Sequence, residues 1–143
     1  MDRQEILNQL QAFPYDRSEY WVITGGAMVL YGIREQTADI DLGCSKHLAD
    51  RLEADGCPFR RTADGKRWFR YGESIEICEE WLHDTVGTVD GFQVISLSGL
   101  IEMKREIGRE KDRRDIELIT AFAERKKQMS CPESKMLDMP GEA

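Results

Sequence analysis

The stretch TGGAMVLYGIREQTADIDLG, Thr24 to Gly43, holds two adjacent glycines and, past a short apolar segment, the carboxylates Asp39 and Asp41 one residue apart. Successive side chains of a strand alternate between faces, so Asp39 and Asp41 would share one face while Ile40 and Leu42 enter a core. Their backbones would then stand roughly 7 Å apart, and both carboxyls can lean toward one point. Like charges held that close resist ionisation unless a cation lies between them. A hard divalent ion such as Mg²⁺ prefers such oxygens.

Gly25 and Gly26 fall where an apolar strand gives way to a helix. A helix N-terminus presents unpaired N–H groups and partial positive charge, and glycine lets an anion approach the backbone. One loop thus offers a phosphate cradle and the next strand a metal platform, a combination suited to a nucleoside triphosphate with Mg²⁺. No Lys-Ser/Thr follows the glycines, which excludes the P-loop. Two-metal chemistry calls for a further carboxylate to hold ions about 3.5–4 Å apart. The run SIEIC supplies Glu76, facing away from Ile75 and Ile77; Glu73, Glu79 and Glu80 read as loop or solvated positions.

The elements that must position these groups follow from periodicity. Ile6, Leu7, Leu10 and Phe13 recur at helical spacing over Asp2 to Phe13, and Pro14 ends that helix. YWVIT reads as a buried strand, Ala27 to Tyr31 as a short helix stopped near Gly32, and ADIDL as the next strand. His47 to Asp55 reads as a helix with Leu48 and Leu52 inward. FRRT, RWFRY and SIEIC are three strands parted by turns at Asp64-Gly65 and Gly72, and GFQVIS is one more. From Leu97 to about Lys127 the pattern is helical with a break near Gly108. Residues 128–143 carry two prolines and little periodicity, which predicts a disordered tail after one domain over 1–127. The order predicts an α/β or α+β fold, a small mixed sheet flanked by helices.

The chain has 143 residues, enough for one core, and 33% charged residues, ordinary for a soluble globular protein. Its longest uncharged run, Tyr20 to Ile33, is too short to span a bilayer, and Asp2, Arg3 and Glu5 leave no apolar leader, so a cytoplasmic chain without membrane contact is expected. Cys44, Cys57, Cys78 and Cys131 are spaced poorly for zinc and read as reduced, buried thiols. A net charge of −7 gives no general electrostatic help in binding nucleic acid, leaving a local basic patch as the route to RNA.

Gly-Gly at a helix start, Asp-x-Asp on the following strand and a third acid on a later strand resemble the DNA polymerase β-like nucleotidyltransferase superfamily. GGAMVLYGIREQTADIDL followed by ISLSGLIEMKREIGREKDRRDIELI is similar to its minimal branch, which includes the toxins of abortive-infection toxin–antitoxin systems. Gly-Gly-x-Ala and Arg-x-x-Thr-x-Asp-x-Asp are also similar to elements of antibiotic nucleotidyltransferases. The resemblance covers about Tyr20 to Phe122; it departs in the third acid, Glu rather than the commoner Asp, and in the short chain.

The resemblance implies a nucleotidyltransferase fold and transfer of a nucleoside monophosphate from a triphosphate such as ATP, with release of pyrophosphate. Two Mg²⁺ ions, with Mn²⁺ as the alternative, would be held by Asp39, Asp41 and Glu76, the catalytic set. Thr24, Gly25, Gly26, Arg34, Thr37, Lys104, Arg109 and Lys111 would bind the nucleotide. The acceptor would be RNA, tRNA-like, or a small hydroxylated molecule, and an antitoxin protein a further partner. The alternative is a non-catalytic nucleotide- or antitoxin-binding module that keeps the fold.

The C-terminal helices are read independently. Leu97, Leu100, Ile101 and Ile107 form an apolar stripe with Lys104 inside it, and an unpaired lysine is costly to bury, so Lys104 should reach a polar cleft. Asp112 and Asp115 extend the next helix's stripe toward Gly108, where they would meet Lys104, as a site or as a structural ion-pair network. Lys104→Ala would then weaken nucleotide binding and spare the fold. His83 reads as a surface or capping group, His47 as a helix-start residue, and Trp21, Trp68 and Trp81 as packing.

Overall fold

The computed structural model describes residues 1–81 and 86–138, with side chains through 126. His83 lies outside the described residues, as does the side chain of Cys131.

The chain runs α1 (Arg3–Ala12), a 3-10 turn (Arg17–Glu19), β1 (Tyr20–Ile23), α2 (Thr24–Tyr31), β2 (Ile40–Cys44) and α3 (Lys46–Ala54). β3 (Phe59–Arg61), β4 (Arg67–Tyr71), β5 (Ile75–Glu79), β6 (Val86–Val89) and β7 (Phe92–Ile95) follow, then α4 (Leu97–Ile107) and α5 (Glu110–Asp138). The fold is mixed α/β, as the spacing predicts. Sequence periodicity missed β6, whose VGTV has no apolar alternation and pairs only as an outer strand. The helical backbone of α5 passes Lys127 and runs to Asp138, into residues whose pattern predicts no helix.

The seven strands form one sheet in the order β3-β4-β5-β2-β1-β7-β6. β2 is parallel to β5 and β1 to β7; the other pairs are antiparallel. Register sorts the faces. Val22, Leu42, Ile77 and Phe69 align across four strands and are buried, forming the core with Ile6, Leu10, Leu48 and Leu52 of α1 and α3. One residue along in each strand, Asp41, Glu76 and Arg70 align on the opposite face. Burying a full apolar row on one face fixes the register, because a one-residue slip would move the carboxylates into the core.

Local signals mark the helix ends. Asp2 and Glu5 form a capping box on α1, and Ser45 and Ser96 cap α3 and α4 through their side chains. Gly108 closes α4 in the left-handed conformation, and the reversal lays α5 against α4. Among the described residues no helix is long and apolar enough to cross a membrane.

Candidate active site

β1 stops at Ile23 and the chain turns at once into α2. Thr24 takes φ 51°, a left-handed conformation that a β-branched residue rarely adopts. Such strain persists only where surrounding structure enforces it. Because β2 runs antiparallel to β1, its start lies beside this turn, with Asp41 the Cα partner of Ile23. The Thr24 hydroxyl donates to Asp41 Oδ2 at 2.6 Å.

Burial pushes the Asp41 pKa up, the negative charges of Glu76 and Asp39 push it further, and the Thr24 hydrogen bond and the Lys104 charge oppose the rise. Asp41 thus feels both other acids. Glu76 is its Cα partner across the parallel β2–β5 pair. Asp39 stands in the loop one residue before β2 begins, where sequence alternation had placed it on the strand. The Glu76 carboxylate meets Arg70 Nη1 at 3.6 Å, on the next strand.

Oxygen donors of this kind suit a hard divalent ion, and a cation between them would offset the cost of keeping Asp41 ionised. The chemistry of the donor set fits. Among the described residues, however, no three His, Cys, Asp or Glu side chains are close enough to share one ion. A site using all three acids therefore needs side-chain rearrangement.

Gly25 and Gly26 are buried at the start of α2. A Cβ on Gly25 would lie 2.5 Å from Thr37 Oγ1 and 3.4 Å from Arg34 Nη1, so the glycine permits both side chains to close on the helix start. Thr37 Oγ1 also donates to the Asp39 carbonyl at 3.4 Å, tying the loop before β2 to the same place. Thr24, Gly25, Arg34, Thr37, Asp39 and Asp41 are thus one neighbourhood.

Lys104 is 3% exposed and held between two acids, donating to Asp115 Oδ2 at 2.9 Å and standing 3.5 Å from Asp112 Oδ1. Arg34 Nη2 takes the other Asp115 oxygen at 2.6 Å, and Arg109 Nε donates to Asp112 Oδ2 at 2.7 Å. Arg109 and burial compete for Asp112: the guanidinium hydrogen bond dominates and lowers its pKa. The chain Arg34–Asp115–Lys104–Asp112–Arg109 joins the α2–β2 loop to the α4–α5 corner. Lys104 is therefore part of a buried ion-pair network, which argues against the expectation that its removal spares the fold. Lys111 is exposed on α5.

Two arrangements escaped sequence reasoning. Glu79, read as solvated, is buried on the core face, where Arg67 Nε and Nη2 grip it at 2.9 and 2.8 Å. Arg67 also reaches Glu53 at 2.9 Å and Asp50 at 2.8 Å on α3, and its hydrogen bonds hold the Glu79 pKa at about 2. The alternation Ile75–Ile77–Glu79 was a usable signal; the partner was not, since it comes from β4. The second is the setting of Trp68: of the core or hairpin packing that the sequence allows, the structure shows the hairpin, with Trp68 on the Glu76 face between Arg60 and Cys78.

No protein-family description, curated protein or solved structure matches the chain.

Proposed function

We propose that the protein is a Mg²⁺-dependent nucleotidyltransferase. The observation that carries the reading is the desolvated Asp41 carboxylate, fixed by the strained Thr24 hydroxyl at a strand-to-helix turn and repelled by Asp39 and Glu76. An isolated structural aspartate has no reason to stand where two more acids raise its pKa; a cation-binding acid has.

On this reading Asp39, Asp41 and Glu76 would hold Mg²⁺, which supplies charge neutralisation on the triphosphate. Arg34 and the α2 amides offset phosphate charge, with Thr37 packed against Gly25 to shape the cleft. The acceptor hydroxyl oxygen forms a bond to the α-phosphorus as the bond to the β-phosphate oxygen breaks. Pyrophosphate leaves with that electron pair, and Glu76 takes the hydroxyl proton. Lys104 and Asp115 act as positioning residues through Arg34.

A second reading, a nucleotide-binding module without catalysis, is favoured by the pairing of Glu76 with Arg70 and the absence of a three-acid cluster among the described residues. Incubation with α-³²P-labelled nucleoside triphosphates and Mg²⁺, with total RNA or small polyols and aminoglycosides as acceptors, separates the two. Label transfer with pyrophosphate release, lost in Asp41→Asn, supports the enzyme. Saturable nucleotide binding with no turnover supports the module, and a protein that neither transfers label nor binds nucleotide overturns both readings.

A further inference from the structure

The open face of the sheet beyond Glu76 has a composition unlike the rest of the chain. Residues 59–71, the β3–β4 hairpin, carry Arg60, Arg61, Lys66, Arg67 and Arg70 against the single carboxylate Asp64, in a chain of net charge −7. These cations divide by face. Arg67 is consumed by Glu79, Glu53 and Asp50, Lys66 stands 3.6 Å from Glu80, and Arg61 pairs across the strands with Arg67 on the core side. Arg60 and Arg70 share the other face with Trp68, which is the Cα partner of Arg60 and two residues from Arg70.

Both arginines are exposed: the Arg60 guanidinium sits over the Trp68 ring at 5.4 Å, and Arg70, which donates to the Glu73 carbonyl and stands 3.6 Å from Glu76, would exchange that loose pair for a phosphate. Arg60, Trp68, Arg70 and Glu76 line a groove of about 360 Å³. The Trp68 Nε1 is buried without a hydrogen-bond partner among the described residues, a donor that the fold leaves unsatisfied. Glu76, which lines this groove, is the Cα partner of Asp41.

Cation, aromatic ring, cation is the complement of phosphate, base, phosphate. Bases can stack on an indole only when splayed from a helix, so the pattern fits a single strand and not a duplex. We infer that Arg60, Trp68 and Arg70 form a binding surface for single-stranded RNA, which leads the strand's terminal hydroxyl toward Glu76 and Asp41. Its role as acceptor site rests on the transferase reading above; the binding does not.

The test is fluorescence anisotropy of the full chain with a labelled single-stranded RNA of about twelve nucleotides, the size range such grooves cover, in EDTA without nucleotide. Binding should weaken steeply with salt, and Arg60→Glu or Arg70→Ala should lower both affinity and salt slope, as expected for lost phosphate contacts. Trp68→Ala should cost about tenfold in affinity and Trp68→Phe much less, because stacking survives. Arg60→Glu alters an exposed side chain on an edge strand, so it keeps the test readable should Trp68→Ala fail to fold. Lys46→Ala, on α3, should bind as the parent does.

Absence of RNA binding at low salt, unchanged binding by Arg60→Glu and Arg70→Ala, or an equal loss in Lys46→Ala overturns the assignment. So does a DNA strand of the same sequence binding more tightly than RNA. Label transfer to a small acceptor without RNA binding sinks this surface and leaves the transferase; RNA binding without nucleotide turnover does the reverse.

Discussion

Asp41 and Glu76 face each other as Cα partners on parallel strands, yet the Glu76 carboxylate is paired with Arg70 at 3.6 Å. The backbone brings the acids together while an arginine from the neighbouring strand engages one side chain. On the proposed transferase reading, Arg70 would compete with Mg²⁺ for the Glu76 carboxylate.

Removing that competitor should strengthen metal binding. Arg70 is half-exposed, and pairs of that kind contribute about 0.2–1 kcal/mol. Arg70→Ala is therefore expected to tighten Mg²⁺ affinity by up to about fivefold, read by thermal shift across a Mg²⁺ titration. Weaker Mg²⁺ binding in the variant would show that Arg70 orients Glu76 rather than detaining it.

Lys104 tests the corner network. Its removal leaves Asp112, fully buried, and Asp115, nearly so, with fewer counter-charges in a place water does not reach. Breaking a buried pair from one side typically costs about 3–5 kcal/mol. Lys104→Ala should lose about 3 kcal/mol in urea unfolding, and Arg34, freed of its ordered Asp115, should bind nucleotide less well. A variant within about 0.5 kcal/mol of the parent, the range of ordinary surface substitutions, would place the network's energy elsewhere.

Acid stability should carry two opposing signs. Arg67 holds Glu79 at about 2, below its ordinary 4.5. That stabilisation is present above about pH 4.5 and fades as pH falls toward about 2. Asp112, lowered by Arg109, behaves alike. Asp41 is raised, so its penalty is full at neutral pH and eases as pH falls through its folded pKa. Glu79→Gln should flatten the acid limb of stability against pH, whereas Asp41→Asn should steepen it. Unfolding free energies measured between about pH 6 and pH 3 read both; a parent and Glu79→Gln variant with equal acid slopes would contradict the Arg67 grip.

Gly25 should be intolerant of even one added carbon. A Cβ there meets Thr37 Oγ1 at 2.5 Å, and relief means moving Thr37 away from the start of β2. Gly25→Ala is expected to cost about 1–3 kcal/mol and to weaken nucleotide binding. Thr37→Ala in the same chain should recover part of both, since it removes the nearest atom. Additive losses in this double-mutant cycle would show that the close approach is not what restricts the site.

The sheet and its buried face were legible in the sequence because alternation fixes which residues face the core: Ile40 and Leu42, or Ile75 and Ile77, leave Asp41 and Glu76 no other side. The Gly108 break was legible too, as was the meeting of Lys104 with Asp112 and Asp115. What escaped depends on which strand lies beside which. Glu79 finds Arg67, and Arg60 stacks on Trp68, only because β4 lies between β3 and β5. The left-handed Thr24 was equally hidden, since a glycine stood next to it to take any unusual backbone angle and did not.

Asp41 joins stability to function. Its carboxylate is desolvated and repelled by Glu76 and Asp39, so without metal its ionised form is a source of strain. Asparagine keeps the shape and still offers an oxygen to the Thr24 hydroxyl, so the substitution removes charge and little else. Asp41→Asn is expected to raise stability in EDTA by about 1 kcal/mol while abolishing nucleotide transfer, the trade found where an active site stores strain. A ligand stabilises only the state that binds it, so excess Mg²⁺ should raise the melting temperature of the parent more than that of the variant. Thermal melting of both proteins in EDTA and in Mg²⁺ measures the two differences together. A variant that melts lower in EDTA would mean that the ionised carboxylate stabilises the fold through Thr24 and Lys104, and equal Mg²⁺ shifts would mean that the acids form no metal platform.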